Sequence, residues 1–352
     1  MNYFNKNSYL IFILKFTFLI LLFHFFNSKK LKIGVVGVRH EVNIGNNLLK
    51  YAISIKLKEL GFIPYIIGTH WNNYNISFIN KTTKLVIIKN NFSEIKENDY
   101  DILMVNSDQT WRKFDKHFYD YGFLKFAENW KIKKFIYGAS LGYNYWTFNS
   151  KDEKIIKSLL NNFTGISVRE KGSIKLIKKY LGINTTFVLD PTLLIDKKYY
   201  LNLIKNYKCC ININNNYILI YLVSKNKSIN ILAKNASEKL KYKIYYFYLN
   251  KTSIVENFLY LIVNCKAVIT NSYHGTIFSI IFNKPFISFN KKRGAKERLI
   301  SLGELFGFSN RIFDFNQNPN IRLLIKPLKI NYSIINILRK ESINYIKKNL
   351  FL

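Results

Sequence analysis

Short apolar runs alternate with helix-period stretches along most of this chain. Leu31-Lys-Ile-Gly-Val-Val-Gly37 has the pattern of a strand buried in a parallel sheet. A loop at 38–45 leads into a helical pattern with apolar Leu48, Leu49, Ala52, Ile55 and Leu60, and Gly61 stands where a helix C-cap is expected. Strands are predicted at 63–67, 84–88, 102–106, 134–138 and 165–168, then a helix ending near Leu181-Gly182 and a strand at 186–189. Alternation at this spacing predicts a doubly wound parallel sheet.

Past Asp190-Pro191 the pattern changes. Residues 197–216 are polar, rich in Lys and Asn, and read as a linker helix or crossing segment. A second alternation opens at 217–224 and runs through a helix at 228–240, a strand at 243–248, a helix at 254–264 and a strand at 267–270. A helix from Gly275, a strand at 285–289 and helices near 298–306 and 334–350 follow. The expected class is α/β: two Rossmann-like domains, 31–196 and 217–330, joined by the linker 197–216 and followed by a C-terminal helix in 331–352. A length of 352 residues also exceeds what one core usually supports. The site is expected at the carboxyl ends of the strands, in the cleft between the two halves.

Residues 1–30 stand apart as a hydrophobic anchor or signal-like segment. The run 9–26 is apolar save for Lys15 and His24, long enough for a short membrane span or a signal-peptide core. No small-residue cleavage site follows, so an uncleaved hydrophobic helix is expected, with an interfacial helix as the alternative. Lys29, Lys30 and Lys32 outweigh Lys6, which places a membrane-associated catalytic body on the cytoplasmic side. The net charge of +33, from 54 Lys and Arg against 21 Asp and Glu, favours anionic partners. The lysines are dispersed and form no basic, aromatic-interleaved module, so an anionic small molecule is expected and nucleic acid is not. Three cysteines, including the adjacent Cys209 and Cys210, and five scattered histidines offer neither a disulfide framework nor metal-ligand spacing. No metal is expected.

Candidate chemistry gathers at strand ends. Thr270-Asn-Ser-Tyr-His-Gly275 follows a strand and opens a helix, whose free N–H groups and dipole attract phosphate or carboxylate. There His274 reads equally as a general acid facing an anionic donor and as a residue capping the helix and packing on Phe278. Asn106-Ser-Asp-Gln-Thr-Trp111 ends another strand, and Asp108 is a candidate base or hydroxyl-binding group, or else the N-cap of a following helix. Arg169, in Ser167-Val-Arg-Glu170, suits a planar carboxylate or phosphate, or else pairs with Glu170 at the surface. Asp190 reads as a strand stop. Asn43-Ile-Gly-Asn46 sits where a dinucleotide loop would lie but lacks GxGxxG, which leaves nicotinamide and flavin unsupported. GxSxG, Walker and DxD motifs are absent as well.

Five segments in this order resemble the polysaccharide pyruvyl transferase family. They are Asn43-Ile-Gly-Asn46 with its helix, Asn106-Ser-Asp-Gln109 with Trp111, and Tyr137-Gly-Ala-Ser140. Ser167-Val-Arg-Glu170 with Leu189-Asp-Pro191 comes next, then Thr270-Asn-Ser-Tyr-His-Gly275 continuing into Phe282 and Lys284-Pro-Phe286. The resemblance spans roughly residues 31–315 and implies a GT-B-like pair of domains. It implies a phosphoenolpyruvate-dependent, ketal-forming transferase, with phosphoenolpyruvate as co-substrate and no cofactor. The pyruvyl group would pass to two hydroxyls of one sugar in a glycan or lipid-linked saccharide, as in exopolysaccharide biosynthesis. By this resemblance His274 protonates the donor's methylene carbon and Asp108 helps accept a hydroxyl proton. Arg169 holds the donor's carboxylate or phosphate, and Asn46, Ser107, Gln109, Ser272 and Gly275 complete the substrate site. The chain departs from the family twice: Ser272 stands where some members have arginine, and Asn46 where aspartate is frequent. Arg298 or Arg293 is expected to supply the missing positive charge.

Two other readings compete. A GT-B-type glycosyltransferase with a nucleotide-sugar donor calls for a glycine-rich diphosphate loop, whereas residues 271–275 hold one glycine. A membrane-associated binding or scaffold protein has no need of the intact His274, Asp108 and Arg169.

Overall fold

A computed structural model describes residues 30–37, 43–69, 78, 80–88, 91–113, 117–207, 216–248, 254–290 and 296–351. The apolar run 9–26, Cys209, Cys210 and Arg293 lie outside the described residues. Among the described residues no helix is long and apolar enough to cross a membrane.

Strands β1 (Lys32–Val36), β2 (Ile63–Thr69), β3 (Lys84–Ile88), β4 (Ile102–Val105), β5 (Lys133–Ala139), β6 (Gly165–Val168) and β7 (Thr186–Phe187) form one sheet in the order β3-β2-β1-β4-β5-β6-β7. Strands β8 (Tyr217–Leu222), β9 (Lys243–Tyr248), β10 (Ala267–Thr270), β11 (Phe286–Phe289) and β12 (Ile312–Phe313) form a second, ordered β12-β11-β10-β8-β9. Neighbouring strands are parallel in both sheets. In chain order the helices are α1 (Ile44–Glu59), α2 (Phe118–Phe123), α3 (Ser150–Leu160), α4 (Lys171–Leu181), α5 (Lys197–Ile204), α6 (Lys227–Leu240), α7 (Val255–Asn264), α8 (Tyr273–Ile281), α9 (Lys296–Phe306) and α10 (Tyr332–Phe351).

The unbroken apolar runs follow from this layering. A parallel strand covered by helices on both faces has no solvent side, and all four residues of β4 and of β10 are buried. Helix α1 starts where the Asn43 side chain accepts the Asn46 N–H, and its end is followed by Gly61 at φ 92°. Strand order reverses between β1 and β4 in the first sheet and between β8 and β10 in the second. At each reversal the flanking loops run in opposite directions and leave a crevice at the carboxyl ends of the strands.

One apolar core runs between the sheets. Tyr200, on α5 within the stretch 197–216, stacks edge-on against Phe278 of α8 at 5.0 Å and lies 6.0 Å from Tyr51 of α1. Helix α10 then returns to the first sheet. There Ser342 Oγ accepts the Leu189 N–H at 2.9 Å and donates to Leu338 O at 2.7 Å, and Tyr345 donates to Ile136 O at 2.8 Å. The two halves are thus tied at both α5 and α10. Ser342→Ala leaves the buried Leu189 N–H without an acceptor and should lower unfolding stability by about 1–3 kcal/mol. Urea titration checks this, with an unchanged m-value expected.

Candidate functional site

The two strand-order reversals deliver their polar residues to one cleft of about 100 Å3, lined among others by Asn43, Asp108, Gln109, Ser272, His274 and Arg298. On the second-sheet wall, Asn271 ties the β10 and β8 loops together. Its Oδ1 accepts the Val223 N–H and its Nδ2 donates to Ser224 O, each at 2.8 Å. Ser272 caps α8, accepting the Gly275 N–H at 3.2 Å. The helix therefore begins at Tyr273, two residues before the expected Gly275, and His274 lies in its first turn. Gly275 is needed for packing: a Cβ there would overlap Thr270 Oγ1 and come within 2.7 Å of the Tyr221 ring. Gly45 at the start of α1 has a similar reason, because a Cβ would overlap the His274 imidazole at Nδ1.

On the first-sheet wall, Asp108 adopts φ 101°, a conformation that costs a non-glycine residue about 1–3 kcal/mol and gathers at functional sites. The surroundings hold it there: its carbonyl accepts the Thr110 N–H at 2.7 Å and the Ser140 N–H at 3.0 Å. Its carboxylate accepts Arg169 Nη2 on Oδ1 at 2.7 Å and Asn46 Nδ2 on Oδ2 at 3.2 Å, and Arg298 Nη1 stands 3.9 Å from Oδ1. Ser107 turns into the sheet, donating to Gly138 O at 2.8 Å.

Arg169 stands behind this wall with its side chain wholly buried. Nη1 donates to Asp190 Oδ2 at 2.6 Å, and Nε lies 3.6 Å from Glu170 Oε1, so each nitrogen of the guanidinium faces a different carboxylate. Asp190 also accepts the Thr192 N–H and hydroxyl, and its Oδ2 lies 3.7 Å from His274 Nε2. The result is a continuous polar line, Asn46–Asp108–Arg169–Asp190–His274, that crosses from one domain to the other. Beside it the Tyr273 ring lies between two guanidiniums, 4.8 Å from Arg169 Cζ and 5.1 Å from Arg298 Cζ.

Burial sets the electrostatics, and the line answers it. Burial alone would raise the Asp190 carboxyl, but the facing His274 imidazole and the Arg169 charge carry it below the ordinary value. Burial opposes the Arg169 charge, yet Asp108, Tyr273, Asp190 and Glu170 together raise its pKa. Glu170 goes the other way, raised by burial that Arg169 only partly offsets. Lys50 on α1 is buried, and desolvation brings it down to about 7 against the opposing pull of Asp108.

Of the residues singled out by sequence, His274, Asp108, Arg169, Asn46 and Arg298 come together, Gln109 and Ser272 line the cleft, and Ser107 and Gly275 hold the walls behind it. Asp190, Tyr273 and Lys50 belong to the same cluster but were not expected there. Only the position of Asp190 after a strand hinted at its place. Among the described residues no group of three or more His, Cys, Asp or Glu is arranged to hold a metal ion.

Replacing Asp190 by Asn should cost about 3 kcal/mol at pH 7, since a buried charge loses one partner. A depressed carboxylate contributes stability above its unfolded pKa and loses it as pH falls through the folded value. The gap to wild type should therefore close as pH drops below 3.8, the ordinary value. Urea titrations of both proteins at pH 7 and in acid test this, and a gap unchanged in acid would mean that packing is responsible.

Comparison with known proteins identifies the family and the fold. A family model described as polysaccharide pyruvyl transferase matches residues 43–292, more than half of the chain. No curated protein matches the sequence. Arabidopsis thaliana UGT89C1, solved with UDP-L-rhamnose, is similar at a TM-score of 0.53 and 9% identity, over 91% of this chain and 96% of that one. The UDP-GlcNAc 2-epimerase of Neisseria meningitidis, bound to UDP-GlcNAc, is similar at 0.52 and 12%, over 91% and 94%. At such identities the likeness bears on the fold, an α/β architecture of parallel sheets with GT-B-like neighbours. The chain is a transferase belonging to the polysaccharide pyruvyl transferase family, and the matched stretch contains both walls of the cleft around Asp108 and His274.

Proposed function

We propose that the cleft binds phosphoenolpyruvate and transfers its pyruvyl group to two hydroxyls of a saccharide, forming a ketal. The observation that carries this reading is the placement of His274 and Asp108 on opposite walls of one cleft, with Arg169 bonded directly to Asp108 and also to Asp190, whose Oδ2 lies 3.7 Å from His274 Nε2. Carbon protonation of an enol phosphate needs an acid held still, away from water, beside groups that tolerate the charge that develops. His274 lines the cleft with its Nε2 3.7 Å from Asp190 Oδ2, and in this reading its imidazole is the acid that delivers the proton. Asp108 accepts the proton of the attacking hydroxyl from the facing wall.

The donor's negative charge is met at the start of α8 and by Arg298. Arg298 lines the cleft, its Nε is buried without a hydrogen-bond partner, and it lies beyond the stretch that the family model matches. It takes the place of the arginine that some family members carry where this chain has Ser272. Arg169, with every nitrogen facing a carboxylate, acts through Asp108 and Asp190. Gln109 and Asn46 are the neutral groups beside Asp108 that suit sugar hydroxyls. The acceptor is a glycan or lipid-linked saccharide, and the 9–26 run associates the enzyme with the cytoplasmic face of a membrane.

Purified protein incubated with phosphoenolpyruvate and a panel of hexosides should release one phosphate per ketal formed, followed by a colorimetric phosphate assay and product mass. His274→Ala should lower kcat at least ~100-fold, and Arg298→Ala should raise KM for phosphoenolpyruvate by about tenfold, the loss of one charged contact. Consumption of a UDP-sugar with no phosphate release from phosphoenolpyruvate would favour the glycosyltransferase reading instead.

A further inference from the structure

Strand β5 ends at Ala139, which bridges to Asp108, and the loop that follows carries Tyr143-Asn-Tyr-Trp146. The first residues of this loop are fixed to the wall of the cleft. The Ser140 N–H donates to Asp108 O at 3.0 Å, Ser140 O accepts the Trp111 N–H at 3.2 Å, and Leu141 is buried. Gly142 then turns the chain at φ 72°, with its N–H on Ser140 Oγ at 3.1 Å. A Cβ on Gly142 would stand 3.2 Å from Gln109 Cδ and 3.3 Å from Arg112 Cδ, so the turn lies against those two side chains. Gln109 lines the cleft, and its Oε1 accepts from Arg112 Nη1 at 3.2 Å. The Arg112 guanidinium lies over the Tyr143 ring at 4.7 Å, and the Tyr143 and Tyr145 rings are 5.2 Å apart. A line of contacts thus leads out of the cleft, through Gln109 and Arg112, onto two tyrosine rings. The outer ring, Tyr145, is 54% exposed, and the exposed Asn144 separates the two in sequence.

A single exposed tyrosine needs no explanation. Two neighbouring rings on an anchored turn, joined by contacts to a reactive cleft, form a surface ordered before anything binds, which spares a ligand that cost. The chemistry of the surface suits a sugar. One face of a hexopyranose is a layer of slightly positive C–H groups, which meets the negative face of an aromatic ring, while its rim of hydroxyls calls for amide and guanidinium partners. Asn144, Gln109 and Arg112 supply them. Resting on the ketal-forming reading above, we propose that Tyr143 and Tyr145 form an outer subsite that stacks a further sugar of the acceptor. The acceptor is then an oligosaccharide or a longer chain, with the unit to be modified at Asp108 and the chain leaving the cleft past Gln109. Contacts so far from the reacting atoms act equally on substrate and transition state, so they lower KM for the acceptor and leave kcat in place.

Isothermal titration with cellotetraose, mannotetraose and galactotetraose, each set against the methyl glycoside of the same hexose, tests the platform without the donor. At least one tetrasaccharide should bind about tenfold more tightly than its methyl glycoside, the contribution of one stacked ring. Tyr145→Ala should abolish that advantage and Tyr145→Phe should keep it, because the ring does the stacking. Both changes lie at the surface, and an unchanged Tm is expected. With phosphoenolpyruvate present, the same advantage should appear in the acceptor KM and vanish in Tyr145→Ala. Equal affinity for every tetrasaccharide and its methyl glycoside would overturn the proposal, as would a chain-length advantage that survives Tyr145→Ala. The two readings fail separately. Phosphate release from phosphoenolpyruvate with no chain-length effect strikes only at the platform, whereas a chain-length effect lost in Tyr145→Ala without any phosphate release supports the platform and strikes only at the ketal-forming reading.

Discussion

The buried guanidinium of Arg169 is the constraint on which the rest of the site depends. Withdrawing such an ion from water costs several kcal/mol even after relaxation. Here three carboxylates, Asp108, Asp190 and Glu170, surround it, and the Tyr273 ring covers one face. Each carboxylate comes from a different strand end or turn of the first domain, so satisfying one side chain fixes the relative positions of β4, β6 and the turn after β7. Asp190 then reaches His274 on α8 of the second domain. Groups from both halves thereby line one cleft, and the site is complete only when the two halves meet. The continuous core through Tyr51, Tyr200 and Phe278, and the return of α10, make that meeting a property of the fold.

This arrangement also bears on the two positions where the resemblance implies other residues. Where the family resemblance implies aspartate, Asn46 is neutral and donates to Asp108. Where the resemblance implies arginine this chain has Ser272, and Arg298 lines the cleft from α9 and shares Tyr273 with Arg169. The local charges near the cleft therefore matter more than the overall +33, most of which is spread over the surface as lysine.

Much of the fold was legible because parallel strands covered on both faces leave unbroken apolar runs, as at Ile102–Val105 and Tyr217–Leu222. Helix α3 was not anticipated, although its capping box of Asn149 and Asp152 and its buried Ile156, Leu159 and Leu160 explain it once seen. The two-residue β12 is too short to carry a pattern. At the site, strand-end position picked out His274, Asp108 and Arg169, but not how they pair. Arg169 reads from sequence as an anchor for a substrate carboxylate or phosphate, or as a partner of its neighbour Glu170, whereas its closest contacts come from residues 61 and 21 positions away. Asp190 read as a strand stop for the same reason: its pairing is tertiary, and no periodicity records it. Lys50 was hidden because a lysine on a helix normally faces water.

Product formed in deuterium oxide tests the central claim most directly. If His274 delivers a solvent-derived proton to the methylene carbon of phosphoenolpyruvate, each ketal carries one non-exchanging deuterium in its methyl group, seen as one extra mass unit. A ketal whose methyl group carries no deuterium, or a wild-type protein that leaves phosphoenolpyruvate intact with every saccharide offered, would contradict the account.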